Sequence, residues 1–298
     1  MKPLIQGQIV AAFGRQYLVH LPDGSEIICL PRGKKSEVVC GDIVEIKLTG
    51  DASAENGTGA QGVIERIAPR RSLLHRSDAF REKLIAANVT QIILVVAAEP
   101  SFSDELLARC LVAAFEQKLD VLIVLNKCDL SAAATAARQR LMPYSAIGYR
   151  VLELSAKQDV SALRPFLQGH TSVLVGQSGM GKSTLINALL PDALAATREI
   201  SSALDSGKHT TTHARLYRLN DQSSLIDCPG VQAFGLHHLS FGGIEQGFVE
   251  FAQYLGQCRF HDCHHTHEPG CALREAVAAG KINARRLELF LQISRANS

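Results

Sequence analysis

Past residue 90 the chain alternates two textures. Runs at 91–96, 121–125, 151–154, 172–175 and 224–226 are apolar at nearly every position, and the stretches between them are amphipathic. Runs without a polar face belong to strands buried on both sides, so the pattern predicts a parallel sheet with helices on either face. A helix is expected from Ser103, whose hydroxyl can cap it, to Lys118, with Leu106, Leu107, Cys110, Leu111, Ala114 and Phe115 along its apolar stripe. The longest apolar run, 92–98, reads as a buried strand and falls well short of the roughly 18 residues needed to span a bilayer.

Residues 1–68 read differently. Short β-like runs at 7–10, 17–21, 26–30, 43–48 and 62–67 are broken by Gly14, by Pro22-Asp23-Gly24, by Gly41-Asp42 and by the Gly-, Ala- and Ser-rich stretch 50–62. Such closely spaced short strands indicate a small β-barrel. An OB-like barrel fits best, and an SH3-like barrel shares the texture. After residue 234 the strand pattern stops. A Cys/His cluster follows, then a helical tail in which Ala276, Ile282, Leu287, Phe290 and Leu291 can pack. The expected fold is multidomain: an OB-like β-barrel over 1–68, an α/β domain over 69–235 and a small α-helical domain over 236–298.

A net charge of +2 is too small to argue for nucleic acid by itself. Local clusters exist at Arg32, Lys34 and Lys35 and at Arg66, Arg70, Arg71 and Arg76; they suit solvated loops or RNA phosphates equally. The first residues, Met1 to Gln6, hold no apolar signal core, so a cytoplasmic location is expected, where thiols stay reduced. Five of the eight cysteines are scattered, whereas Cys258, Cys263 and Cys271 cluster among histidines, which points to metal rather than disulfides. No long exposed apolar stripe is evident, and a monomer is expected.

The run at 172–175 leads into Gly176-Gln177-Ser178-Gly179-Met180-Gly181-Lys182-Ser183, a complete GxxxxGKS, and a helix-like stretch opens at Thr184. The glycines let backbone amides converge on a phosphate, and the helix N-terminus adds partial positive charge. Lys182 suits the β- and γ-phosphates, and the Ser183 hydroxyl suits Mg²⁺. After the run at 121–125 comes Asn126-Lys127-Cys128-Asp129, which looks like the NKxD motif of GTPases. The Asp129 carboxylate can accept from N1–H and the 2-amino group of guanine, a donor pair that adenine lacks. Lys127 would lie along the base, and Asn126 would tie this loop to the phosphate loop. Ser155-Ala156-Lys157, one strand later, resembles the SAK motif, whose backbone amide meets guanine O6.

Asp227-Cys228-Pro229-Gly230 fits DxxG, in which the Asp holds Mg²⁺ through water and the Gly amide senses the γ-phosphate. Between it and the phosphate loop lies Gly207-Lys208-His209-Thr210-Thr211-Thr212-His213, where Thr211 is the favoured further Mg²⁺ ligand. Ras-like proteins place a water-orienting Gln after the DxxG glycine. Here that residue is Val231, and Gln232 comes one position late. Catalysis therefore needs another group: His209, with His213 as the alternative, because imidazole can orient or deprotonate water near neutral pH.

The motif order is NKxD, SAK, phosphate loop, threonine loop, DxPG. A standard GTPase runs from the phosphate loop through DxxG to NKxD and SAK. Cutting the same sheet after DxxG and joining its old ends gives the order seen here. With GQSGMGKSTLIN, GKHTTTH, DCPGVQAFGL and Cys-x4-Cys-x-His-x5-Cys as they stand, the chain resembles over nearly its whole length the small ribosomal subunit-dependent GTPase family RsgA, also called YjeQ or YloQ. The resemblance implies an OB-fold barrel, a circularly permuted P-loop GTPase domain and a zinc-binding domain. It implies a GTP hydrolase that binds the 30S subunit and its 16S rRNA, assists late subunit maturation and is stimulated by that subunit. It places the catalytic histidine on His209. One departure is the basic N-terminal extension of some members, which this sequence lacks; it bears on how the barrel meets rRNA.

Cys258, Cys263 and Cys271 with one imidazole suit a closed tetrahedral Zn²⁺ site. Spacing leaves His261, His264, His265 and His267 as choices, and the family pattern selects His265. So small a region has little core, and metal is expected to supply much of its folding energy. Residues 231–240 join the DxPG loop to this cluster, so nucleotide state is expected to reposition the C-terminal region. Two other functions fit parts of the chain: a P-loop ATPase or kinase, opposed by Asn126 and Asp129, and a non-catalytic RNA-binding adaptor, which Val231 keeps open.

Overall fold

The computed structural model describes residues 4–33, 37–49, 61–78, 81–191, 214–228 and 234–297. Strands β1 (Ile5–Phe13), β2 (Gln16–His20), β3 (Glu26–Pro31), β4 (Ile43–Leu48) and β5 (Gly62–Ile67) run in the order β1-β2-β3-β5-β4, and β4 pairs back onto β1. Only β3 and β5 pair in parallel; the other four pairings are antiparallel. Closure leaves no open edge among these strands. A register shift between Ile9 and Ala11 bends β1, as a bulge does.

The residues of β1 and β2 alternate between two cores. Ile9, Tyr17 and Val19 point into the barrel, with Cys29, Val44 and Ile46. Val10, Ala11 and Leu18 are just as buried, but in the core of the neighbouring α/β body. Period-two alternation normally leaves one face wet; here the second face is covered by another layer.

That layer is a sheet of β8 (Gln91–Ala97), β9 (Asp120–Asn126), β10 (Arg150–Glu153), β11 (Thr171–Val175), β12 (Arg215–Asn220) and β13 (Ser223–Asp227), ordered β10-β9-β8-β11-β13-β12. Every residue of β8 is buried, as its uninterrupted apolar run predicts. The sheet is parallel except for β12, which is antiparallel to β13 and also pairs with β1, Ala11 opposite Arg215. Barrel and sheet therefore share one 11-stranded ladder. The antiparallel β12 and the hairpin of β6 (Leu73–Asp78) and β7 (Arg81–Ala87) are additions to the strands that the apolar runs mark.

Helices α1 (Asp104–Glu116), α2 (Ser131–Ala146), α3 (Arg164–Leu167) and α4 (Lys182–Leu189) complete the body. Ser103 caps α1 as expected, its hydroxyl accepting the Leu106 amide at 3.3 Å. The stripe is displaced from the expected one: Phe115 is exposed, whereas Ala108, Val112 and Ala113 are buried. The reason is a second partner for α1. Helices α5 (Phe241–Gln246), α6 (Ala272–Ala278) and α7 (Ala284–Asn297) follow the sheet, and α5 and α7 pack on α1.

Between these helices Phe248, Phe251 and Phe290 are fully buried with ring centroids 5.1–5.6 Å apart. Arg286 of α7 forms a bidentate pair with Glu250 at 2.6 and 3.2 Å, and its guanidinium lies over the Tyr144 ring of α2. The C-terminal region thus has an aromatic core continuous with that of the body, more than its small size suggests. No helix among the described residues is long and apolar enough to cross a membrane.

Candidate functional site

The carboxyl ends of β8, β9, β10, β11 and β13 form one edge, and open α/β sheets bind ligands outside that edge. Val175 ends β11; the loop 176–181 follows, and α4 starts at Lys182 with Gly181 as its N-cap at φ +91°. A Cβ on Gly181 would lie 2.3 Å from Asn126 Nδ2, so this position needs glycine for space as well as for its φ. Lys182 Nζ donates to the Gly176 carbonyl and, at 2.8 Å, to that of Gln177. The Gln177 side chain accepts the Ser103 amide at 2.7 Å, which ties the phosphate loop to the start of α1.

Asn126, at the end of β9 and 1% exposed, joins three loops. Its Nδ2 donates to the Met180 carbonyl at 2.9 Å, and its Oδ1 accepts the amides of Lys127 at 2.8 Å and Ala156 at 2.9 Å. The 126–129, 155–157 and 176–183 segments thereby meet at one place, about fifty residues separating the first from the last. Lys127 sits at φ +62°, and its Nζ donates to the Glu99 carbonyl at 2.7 Å. Sequence reasoning missed this use of the 99–103 turn, whose contribution is backbone and carries no side-chain signal. Cys128 binds its own neighbourhood, its amide to Leu154 O and its sulfur to Leu125 O, both at 3.2 Å. The Asp129 carboxyl is held below the usual carboxylate range by the nearby Ser155 hydroxyl first, then by its own amide, Lys157 and Lys127. An ionised carboxylate accepts from two donors at once.

Asp227 ends β13, beside β11. Burial pushes its carboxyl up, against the pull of Lys182; burial likewise pushes Lys182 down, against the pull of Asp227. The Asp227 carboxylate and the Ser183 hydroxyl at the start of α4 are hard oxygen donors of the kind that suit Mg²⁺, and the half-buried Lys182 ammonium beside them suits phosphate oxygens. His209, Thr211 and Gly230, together with His213, Val231 and Gln232, lie outside the described residues.

At the far end of the chain Cys258, Cys263, His265 and Cys271 place their ligand atoms within 4.8 Å of one another. His265 Nδ1 is 3.6 Å from the sulfurs of Cys258 and Cys263 and 3.2 Å from that of Cys271. A tetrahedral Zn²⁺ with ordinary bond lengths sets N···S at about 3.6 Å, so the geometry fits the ion. His265 adopts φ +61°, and its Nε2 meets Glu245 Oε1 of α5 at 2.6 Å. That carboxylate fixes the tautomer that turns Nδ1 toward the thiols. Glu245 lies twenty residues upstream, so no spacing rule points to it. Of the basic clusters, Arg32 pairs with Glu65, Arg66 with Glu45, and Arg70 with buried Asp42. Lys34 and Lys35, and the side chain of Arg76, are outside the described set.

The family model described as RsgA GTPase matches residues 67–237. A relative from Nitrosospira multiformis (strain ATCC 25196 / NCIMB 11849 / C 71), "Small ribosomal subunit biogenesis GTPase RsgA", is 55% identical over 288 residues, covering 97% of this chain and 90% of its own. The crystal structure of YjeQ from Thermotoga maritima aligns with a TM-score of 0.74 at 29% identity, covering 99% of both chains. That of YloQ, described as a circularly permuted GTPase, aligns with a TM-score of 0.70 at 26% identity over 99% of this chain and 95% of that one. On its sequence, its permuted motif order and its fold, this chain belongs to the RsgA GTPase family.

Proposed function

We propose that this protein hydrolyses GTP to GDP and phosphate in late maturation of the small (30S) ribosomal subunit, which it binds through 16S rRNA and which stimulates it. One observation carries the nucleotide reading: Asn126 bonds the Met180 carbonyl, so the loop bearing Asp129 and the loop bearing Lys182 serve one ligand. Asp129 accepts from guanine N1–H and its 2-amino group, Lys127 lies along the base, and the 155–157 turn offers amides to O6. The amides of 176–184 and the Lys182 ammonium hold the phosphates. Ser183, Thr211 and, through water, Asp227 would hold the Mg²⁺ that accompanies GTP and neutralises charge between its phosphates. The Gly230 amide senses the γ-phosphate, and His209 orients the attacking water; Val231 cannot.

Cys258, Cys263, His265 and Cys271 hold one structural Zn²⁺. It leaves no open position for chemistry. The units are a barrel over 1–68, the GTPase over 69–235 and the zinc-binding helical part over 236–298; the protein acts as a cytoplasmic monomer. The ribosomal role comes from the names of the relatives.

The test is phosphate release from GTP and from ATP, with and without purified 30S subunits, for wild type, Asp129→Ala and His209→Ala. Expected are GTP-selective turnover that rises with subunits, lost base selectivity in Asp129→Ala, and lost stimulated turnover with retained GDP binding in His209→Ala. Equal use of ATP and GTP by wild type would overturn the reading.

A further inference from the structure

We propose that the barrel turn 39–42 is a positioning element of the hydrolytic site, clamping together the ends of β12 and β13 from which the threonine loop and the DxPG loop leave. The proposal rests on the GTP-hydrolase reading and extends it: the barrel then sets the rate of a reaction through strands of the neighbouring domain.

Gly41 is pressed against the body. It sits at φ +90°, and a Cβ there would lie 2.2 Å from the Ala87 carbonyl oxygen and 3.4 Å from Cδ1 of Ile226 in β13. The Ala87 amide donates to Cys40 O at 2.9 Å, and Asn88 Nδ2 donates to Gly41 O at 3.0 Å. Cys40, 1% exposed, lies between β1 and β12. Its thiol donates to Val10 O of β1 at 3.5 Å, and the Leu216 amide of β12 lies against the same sulfur. Cys228, 2% exposed and one residue past Asp227, belongs to the same buried core as Cys40.

The turn is also rigid. Asp42 is fully buried, and its carboxylate accepts the Val39 amide at 2.8 Å and a two-pronged bond from Arg70 at 2.7 and 2.8 Å. Ala11 opposite Arg215 joins β1 to the same end of β12. In sequence Arg215 follows His213 by two residues, and Asp227 opens the DxPG motif. One compact contact therefore fixes, relative to each other, the anchor of the loop with Thr211 and His209 and the anchor of the loop with Gly230. Displacements near 1 Å at a reacting centre can cost ~10²-fold in rate. A coupling of this kind is reciprocal for binding: what the barrel does to nucleotide affinity, nucleotide does to the barrel's affinity for its partner.

Two identical substitutions in the full chain separate positioning from packing. Cys40→Ala removes the sulfur that bonds Val10 O and lies against Leu216, while Cys29→Ala removes an equally buried sulfur from the barrel interior, which does not face the switch strands. Both are expected to lower Tm. Only Cys40→Ala is expected to lower kcat for GTP, at least fivefold, with KM and affinity for a fluorescent GDP analogue within twofold of wild type. Arg70→Gln, which loosens the turn from outside the core, is expected to give the same split and serves if Cys40→Ala fails to fold. Equal kcat in Cys29→Ala and the turn variants, whether unchanged or lowered together, would overturn the proposal. Wild-type protein that binds the GDP analogue but releases no phosphate would instead refute the hydrolase reading itself.

Discussion

At the scale of single residues, Asn126 is the most connected group of the candidate site. Asn126→Ala would leave two amides and one carbonyl without their partner, and unpaired buried polar groups cost about 1–3 kcal/mol each. The expected result is nucleotide affinity weakened by ~10²-fold with a lower Tm, read by titration and melting; undiminished affinity would show that the tie is dispensable. Asp227 makes the opposite prediction for stability. Its folded pKa lies above the unfolded value, so its contribution is complete below the ordinary carboxylate range and is lost as pH rises through the folded value. Ionised Asp227 therefore destabilises the nucleotide-free protein at neutral pH. Asp227→Asn should raise the Tm of that form by a few degrees while abolishing hydrolysis, a trade common where sites are strained. A lower Tm would mean that attraction to Lys182 outweighs burial.

Among the elements, legibility followed burial. The runs at 91–96, 121–125 and 172–175 became strands because a strand covered on both faces must be apolar throughout, whereas β10, at the sheet edge, is only half-buried and is the shortest of the matching strands. The hairpin Leu73–Asp78 with Arg81–Ala87 left no such trace, since mostly polar residues from His75 to Lys83 separate its apolar ends, Leu73-Leu74 and Leu84 to Ala87. Three thiols were legible as letters at fixed spacing and the family pattern picked out their histidine; Glu245 was not legible, because only the packing of α5 brings it to His265. Glu245→Ala is expected to cost 10–100-fold in metal affinity in a competition with a chromogenic chelator. Arg286 and Glu250, 3% and 8% exposed, belong to the same class of unsignalled pairs. Removing one partner of such a pair costs about 3–5 kcal/mol, while replacing both by apolar residues is often neutral. Denaturant midpoints should thus fall for Arg286→Met and recover when Glu250→Leu is added; no recovery would mean the pair itself stabilises the fold.

For the molecule as a whole, the permutation explains why the C-terminal region is tied to the body at all. With the chain cut after DxPG, residues 234–240 run on into α5, and Gly247 then lies against Val112 of α1, where a Cβ would be 2.9 Å from its backbone and side chain. Phe248, Phe251 and Phe290 extend that contact into one apolar core. Small size alone would leave this region dependent on metal to fold, as isolated zinc modules are. The shared core argues for a narrower role. A metal on the four thiol and imidazole groups would fix the 258–271 loop, whereas α7 is held by Leu289, Phe290 and Ile293, all fully buried against other parts of the chain. Stripping the metal with a chelator under reducing conditions should therefore lower Tm and free three thiols to a colorimetric reagent. In hydrogen exchange, 258–271 should lose protection while the amides of α7 keep theirs. Free exchange along α7 after chelation would show that the metal, not the aromatic core, holds the C-terminal region to the GTPase.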